Sequence, residues 1–93
     1  MSMIRKRIVF SGAVQGVGFR YRAVHGAEHF GCTGWVRNDW EGTVTMEIQG
    51  NKEQIDKVLE VIAQGRYVDI LGMDSKIIPV AEQEYGFKVK SME

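Results

Sequence analysis

Apolar and polar side chains alternate most regularly in the middle of the chain, over residues 43–49. The apolar positions share one side of an extended segment: Val44, Met46 and Ile48. The polar positions share the other side: Thr43, Thr45, Glu47 and Gln49. A period of two residues is typical of an antiparallel strand with one face on the core and one face in water. We therefore predict a strand here whose polar face is wet.

Two other segments have the period of an amphipathic helix. In the first, apolar side chains are spaced 4, 4 and 3 residues apart: Phe19, Ala23, Ala27 and Phe30. In the second, they follow the i, i+3, i+4, i+7 pattern: Ile55, Val58, Leu59 and Ile62. Asn51 followed by Gln54 is typical of a capping box at a helix N-terminus. These patterns predict helices over 20–30 and from Asn51 to about 64, each ended by a glycine.

Shorter signals complete the order of elements. β-prone runs predict strands over residues 4–11, 34–37 and 87–90, and a further extended stretch is predicted within 67–79. The order βαββαβ, with a possible extra strand, predicts an α+β fold of the ferredoxin-like α/β sandwich class. In that fold an antiparallel sheet carries two helices on one face. The chain contains neither a linker nor a repeat, so we expect residues 1–93 to form a single domain.

Charge and hydropathy exclude several kinds of partner. The chain of 93 residues has 12 basic and 12 acidic side chains, so its formal net charge is zero. A neutral chain has no global field that would draw it to nucleic acid or to an anionic membrane, and we expect neither partner. No apolar run approaches the roughly 20 residues of a membrane span. No signal-type apolar segment follows the basic N-terminus, so we expect a cytoplasmic protein.

A single cysteine, Cys32, limits metal and redox chemistry. It rules out an internal disulfide and a zinc site built from several cysteines, and it suits a reducing compartment. His25 and His29 lie four residues apart on the first predicted helix, a spacing that a metal pair could use, but the sequence shows no third ligand. We therefore predict structural or surface roles for both histidines and a buried apolar role for Cys32.

The strongest chemical signal is the loop before the first helix, which contains Gly12, Gly16 and Gly18. The first N–H groups of a helix have no acceptor within the helix, and the macrodipole places partial positive charge there. Glycines let the backbone adopt positive φ and approach a ligand closely. The order of strand, glycine-rich loop and helix start therefore favours an anion-binding cradle.

Arg20, in the first turn of that helix, strengthens the case for an anion. A cation at a helix N-terminus opposes the macrodipole unless an anion lies between the two. A guanidinium also matches a phosphate or a carboxylate as a bidentate donor. The glycine spacing fits neither a Walker loop nor a dinucleotide fingerprint. An ordinary turn beside a solvent-facing Arg20 stays open as an alternative.

Two segments together resemble the signatures of the acylphosphatase family. The first reads GAVQGVGFR at residues 12–20, and the second reads GWVRNDWEGTV at 34–44 and continues to Gly50. The resemblance extends over nearly the whole chain. One departure is Phe10, which stands where the family usually has Val or Ile. The stretch from Arg66 to Glu84 is less similar, so strand placement there rests on its own pattern.

The resemblance implies an enzyme that hydrolyses the carboxyl–phosphate bond of acyl phosphates to a carboxylate and inorganic phosphate. It implies that the loop backbone holds the phosphoryl group, through Gln15, Gly16, Val17, Gly18, Phe19 and Arg20. It also implies two catalytic residues: Arg20, which binds the phosphate, and Asn38, which orients the attacking water. The family needs no metal and no other cofactor. We expect a free-standing monomer that acts on a small acyl phosphate.

Two other functions stay open. A non-catalytic phosphate- or anion-binding module would keep the same cradle and use it for recognition. An RNA-binding ferredoxin-like domain would place aromatic side chains on the open sheet face and carry a basic surface. The alternating strand instead carries threonine, glutamate and glutamine on that face, and the net charge is zero. The sequence therefore favours the enzyme over the anion-binding module, and both over the RNA binder.

Overall fold

A computed structural model describes residues 2–92, so the ends of the predicted domain, residues 1 and 93, lie outside the described range. The elements are β1 (Ile4–Ala13), α1 (Phe19–Phe30), β2 (Thr33–Asn38), β3 (Val44–Gly50), α2 (Lys52–Ala63), β4 (Asp69–Ile78) and β5 (Phe87–Val89). The predicted order is confirmed, and β4 is the extra strand expected within 67–79. No helix in the described range is long and apolar enough to cross a membrane.

The described strands form one sheet in the order β4-β1-β3-β2-β5. β1 pairs antiparallel with β3 and β4, and β2 pairs antiparallel with β3. β5 runs parallel to β2, so the sheet is mixed where the sequence predicted antiparallel pairing. β4 and β5 lie at opposite edges of the sheet, and the segment between them crosses its open face. The direction of β5 is therefore not set by a hairpin turn.

Both helices pack on one face of the sheet, as predicted. The buried core includes side chains from the strands and both helices: Ile8, Phe10, Val14, Phe19, Ala23, Ala27, Val36, Val44, Met46, Ile48, Ile55, Val58 and Ile62. The Phe10 and Phe19 rings meet nearly edge-on, with 4.8 Å between their centroids. This contact joins the C-terminal half of β1 to the first residue of α1, and it gives the loop between them a defined position.

The two helices begin in different ways. α2 has the predicted capping box, in which the backbone N–H of Gln54 donates to Asn51 Oδ1 and the backbone N–H of Asn51 donates to Gln54 Oε1, each at 2.8 Å. α1 begins after Gly18, with no side-chain cap and no acidic residue in its first turn. Its C-terminal cap is Gly31 at φ 75°, as predicted. The donors at the start of α1 therefore lack the internal acceptors that α2 provides.

The polar face of β3 is not wet, and this prediction from alternation is wrong. Thr45 and Gln49 are only 3% and 6% exposed. Arg5 of β1 lies across this face and donates to Glu47 Oε1 and Gln49 Oε1, both at 3.1 Å. It also pairs with Glu84 at 2.7 Å, so the segment between β4 and β5 is held over the face. Alternation shows which positions are polar, but it does not distinguish water from a covering polar network.

Candidate active site

The loop between β1 and α1 is shaped by glycines. Gly16 and Gly18 have φ values of 72° and 85°, in the left-handed region that favours glycine. A Cβ atom built on either residue would meet no atom within 4 Å, so both positions border open space. Val14, which is 1% exposed, anchors the start of the loop in the core. The loop backbone is therefore turned toward solvent at a fixed place above the sheet.

The N-terminus of α1 opens into the same space. The first intrahelical bond of this turn runs from the N–H of Arg22 to the carbonyl oxygen of Gly18, at 3.1 Å. The three N–H groups before Arg22 therefore have no acceptor within the helix. Loop and helix start together line a shallow depression, formed by Val14, Gly16, Gly18, Phe19, Arg20, Tyr21 and Val89. Backbone donors, the positive end of the helix dipole and the Arg20 guanidinium make this depression suitable for a phosphoryl group.

Gln15 has a role in the loop that sequence reasoning missed. Its Nε2 donates to the backbone oxygens of Asp39 and Thr43, at 2.7 and 2.8 Å. These acceptors belong to the turn between β2 and β3, so the side chain ties the loop to that turn. The resemblance assigned Gln15 to phosphate binding through its backbone, and the two contacts described here involve only its side chain. Contacts across 24 and 28 residues leave no local signal in a sequence.

Asn38 is the last residue of β2 and is 8% exposed. It pairs with Val44, which in turn pairs with Phe10. Directly paired residues point to the same face of a sheet, so Asn38 lies on the helix side, with β3 between it and Phe10. Asn38 Oδ1 is buried and accepts no hydrogen bond within residues 2–92. An unsatisfied buried acceptor costs stability, and this one lies on the face of the sheet that carries α1, although Asn38 is not among the residues that line the depression.

Asp39 organises the turn that follows Asn38. Its carboxylate accepts hydrogen bonds from the side chains of Thr45 at 2.7 Å, Thr43 at 2.9 Å and Arg37 at 3.0 Å. Burial raises the pKa of Asp39, but the hydrogen bonds from these three side chains outweigh it and hold the pKa below its ordinary value. An ionised carboxylate therefore fixes the backbone that carries Asn38.

Acid should weaken this turn. Because the pKa of Asp39 is lower in the folded than in the unfolded chain, its ionised form adds stability above an unfolded pKa of about 4. That contribution is lost as pH falls through the folded pKa. We expect the free energy of unfolding to fall less steeply below pH ~4 in Asp39→Asn than in the wild type, measured by urea titration. Asp69→Asn, at an exposed aspartate, is the matched control and should keep the wild-type slope; equal slopes in all three proteins would contradict the assignment.

The remaining residues singled out in the sequence lie outside this arrangement. His25 and His29 are exposed on α1, and residues 2–92 contain no cluster of three or more groups that could hold a metal ion. Cys32 is buried, as predicted, and burial raises its pKa to about 11. A thiol that stays protonated at neutral pH is a poor nucleophile, so Cys32 acts as a core side chain.

Known proteins resemble this chain in sequence over most of its length. The sequence profile of the Acylphosphatase family matches residues 6–89. The chain belongs to the acylphosphatase family. An acylphosphatase from Clostridium acetobutylicum is 41% identical over 88 residues, which cover 94% of this chain and 97% of that protein. An acylphosphatase from Bifidobacterium longum is 37% identical over 83 residues, which cover 88% of this chain and 86% of that protein.

Solved structures show the same relationship. The crystal structure of the acylphosphatase from Bacillus subtilis matches with a TM-score of 0.84 and 26% sequence identity, over 94% of this chain and 98% of that one. The predicted ferredoxin-like fold is thereby confirmed. The range matched by the acylphosphatase profile contains the loop, Arg20 and Asn38, so the candidate site lies within the shared part of the chain.

Proposed function

We propose that this acylphosphatase-family chain hydrolyses acyl phosphates, using the loop cradle, Arg20 and Asn38. The observation that carries this proposal is the buried, unpartnered Oδ1 of Asn38, on the same side of the sheet as the uncapped start of α1. An anion-binding surface alone needs no buried acceptor, since a phosphate oxygen accepts hydrogen bonds from its site. A buried acceptor on this face of the sheet suits a donor such as water.

Phosphoryl binding is assigned to the backbone of residues 15–20 and to the Arg20 side chain. The N–H groups at the start of α1 lie at the positive end of the helix dipole. The exposed guanidinium of Arg20 adds two parallel donors that match two phosphate oxygens. Together they neutralise an anion whose transition state spreads charge over the equatorial oxygens. The site therefore acts mainly by positioning and by electrostatic stabilisation.

Orientation of the attacking water is assigned to Asn38. Its Oδ1 accepts a hydrogen bond from the water, and its NH₂ group can donate to a phosphoryl oxygen. An amide is too weak a base to remove the proton, which passes to a phosphate oxygen or to solvent. The P–O bond to the carboxylate breaks as the bond to water forms, and the carboxylate leaves without protonation. Because the leaving group is good, the site needs no acid on that side.

The proposed reaction needs one chain and no metal. The cradle, Arg20 and Asn38 all come from the same domain of residues 1–93, so a monomer carries the whole site. Backbone donors and a guanidinium supply the positive charge that a metal ion provides in other phosphoryl-transfer enzymes. We propose a cytoplasmic enzyme acting on a small acyl phosphate, with neither nucleic acid nor a membrane as a partner.

Hydrolysis of benzoyl phosphate by purified protein, with and without EDTA, tests this proposal. Rapid hydrolysis that EDTA does not affect is expected. Inorganic phosphate should inhibit it competitively, because the product binds the same cradle. A folded protein that binds phosphate and hydrolyses nothing would overturn the proposal and favour a non-catalytic anion-binding module. Activity that EDTA abolishes and added metal restores would overturn the metal-independent mechanism.

Replacing Gln15 should separate the loop from the turn. Gln15→Ala removes two hydrogen bonds, each worth about 1 kcal/mol. We expect the free energy of unfolding to fall by about 1–2 kcal/mol. We also expect kcat to fall roughly tenfold, since a loss of ~1.4 kcal/mol of transition-state stabilisation lowers a rate tenfold. The control is Gln64→Ala, at an exposed glutamine after α2, which should change neither quantity. Loss of stability with unchanged kcat would show that Gln15 has a structural role alone.

A further inference from the structure

The outer edge of β4 differs from the opposite edge of the sheet. β4 has ten residues and β5 has three, and in residues 2–92 no strand pairs with the outer side of either. A long unpaired edge offers a row of backbone donors and acceptors to another strand. Three large apolar side chains on β4 are also exposed, Leu71 at 77%, Met73 at 53% and Ile77 at 62%. These features together mark an interaction surface on the side of the sheet formed by β4.

The regular part of this edge is bounded at both ends. The pairing of β4 with β1 is regular from Gly72 to Ile78, and a bulge interrupts it at Leu71, which has no partner on β1. Pro79, which has no N–H to donate, follows the strand directly. Seven residues thus remain for regular pairing with another strand, and Ser75 is their midpoint.

This segment is complementary to itself. In an antiparallel pair of two β4 strands centred on Ser75, Asp74 of each copy lies opposite Lys76 of the other. Met73 of each copy then lies opposite Ile77 of the other. Asp74 and Lys76 make no ion pair of their own within residues 2–92. Opposite charges and apolar pairs in direct register both stabilise a sheet.

Neighbouring registers are disfavoured. Side chains alternate between the two faces of a strand. One strand can therefore shift along the other only by an even number of residues if each side chain is to stay on its own face. The nearest shift in one direction places Asp74 opposite Asp74, and the nearest shift in the other direction places Lys76 opposite Lys76. Like charges directly opposite each other destabilise a pair of strands. The sequence of β4 therefore selects a single register.

We propose that β4 pairs with β4 of a second copy of this chain in the register centred on Ser75. The product is a reversible dimer in which one sheet runs through both copies, with all four helices on the same face. The catalytic site is complete within each chain, so the monomer stays the active species at the low concentrations of an enzyme assay. The dimer forms at higher concentration and leaves the activity of each chain unchanged.

Charge reversal at two positions tests the register. Sedimentation analysis from about 1 μM to about 1 mM should show a monomer–dimer equilibrium for the wild type, in the range of weak protein association. Lys76→Asp and Asp74→Lys should each weaken association at least tenfold, because each variant places two like charges opposite each other at the interface. The double variant Asp74→Lys/Lys76→Asp restores opposite pairs and should return to within about threefold of the wild type.

Controls separate this interface from general effects of charge. Lys57→Asp makes the same charge change at an exposed position of α2 and should leave association unchanged. Activity on benzoyl phosphate, or an unchanged circular dichroism spectrum, shows that each variant is folded. Amide exchange of residues 72–78 in the wild type should slow as concentration rises. A wild type that stays monomeric at the highest concentration, or a double variant that associates no better than the single ones, would overturn the proposal.

Discussion

Asn38→Ala should lower kcat at least a hundredfold while leaving the protein as stable as before or more stable. The activity falls because the attacking water loses the group that orients it, and one preorganised polar group typically contributes about 2.7–4 kcal/mol to a transition state. Stability does not fall, because the substitution removes a buried acceptor that has no hydrogen-bond partner. Affinity for inorganic phosphate should stay near the wild-type value, because the loop and Arg20 are untouched.

The matched control is Asn51→Ala, at the N-terminal cap of α2. That asparagine is satisfied, since it accepts from the backbone N–H of Gln54 at 2.8 Å. Its loss should cost about 1 kcal/mol of stability and leave kcat unchanged. Steady-state kinetics with benzoyl phosphate should show a loss of activity for Asn38→Ala alone. Unfolding in urea should show a loss of stability for Asn51→Ala alone. An Asn38→Ala variant that is destabilised and fully active would show that Asn38 is a structural residue.

Arg20→Ala should lower kcat/KM at least a hundredfold and weaken phosphate binding. Arg20 is exposed in the first turn of a helix, where it opposes the macrodipole until an anion binds between them. Its removal should therefore change the free energy of unfolding little in the absence of phosphate. With phosphate present, the wild type should gain stability as ligand binds the folded state, and the variant should gain less.

Arg20→Lys distinguishes a guanidinium from a simple charge. A lysine keeps the charge but offers a single point of donation, so it should recover little of the lost activity. Arg66→Ala, at an exposed arginine after α2, provides a control for the change in net charge. Kinetics with benzoyl phosphate give the activity of each variant, and calorimetric titration with phosphate gives its affinity for phosphate. Wild-type phosphate affinity in Arg20→Lys would contradict bidentate binding.

Features that depend on neighbours along the chain were predictable from the sequence. The capping box of Asn51 and Gln54, the left-handed Gly31 and the apolar faces of both helices are local patterns, and the structure contains all of them. The positions of Arg20 and Asn38 came from the motifs that resemble the acylphosphatase family. The unpartnered Oδ1 of Asn38 could not be predicted, because it depends on how β2, β3 and α1 pack together.

Features that depend on distant residues were missed or wrong. The wet face of β3 was wrong because Arg5 and Glu84 come from segments 79 residues apart and meet above it. The role of the Gln15 side chain was missed because its acceptors lie in another turn. In each case a long polar side chain makes a contact that hydrophobic periodicity does not report. Periodicity locates the core of this protein, whereas its polar connections follow from the tertiary fold.

The link made by Gln15 has a consequence for turnover. Because its amide donates to two backbone oxygens of the turn beyond β2, the loop and the turn that follows Asn38 move together or not at all. Substrate then enters, and products leave, through an opening whose shape stays constant through the cycle. Enzymes with closing lids are often limited by opening or closure. Here we expect the maximal rate to be set by bond breaking or by phosphate departure, with no gating step before either.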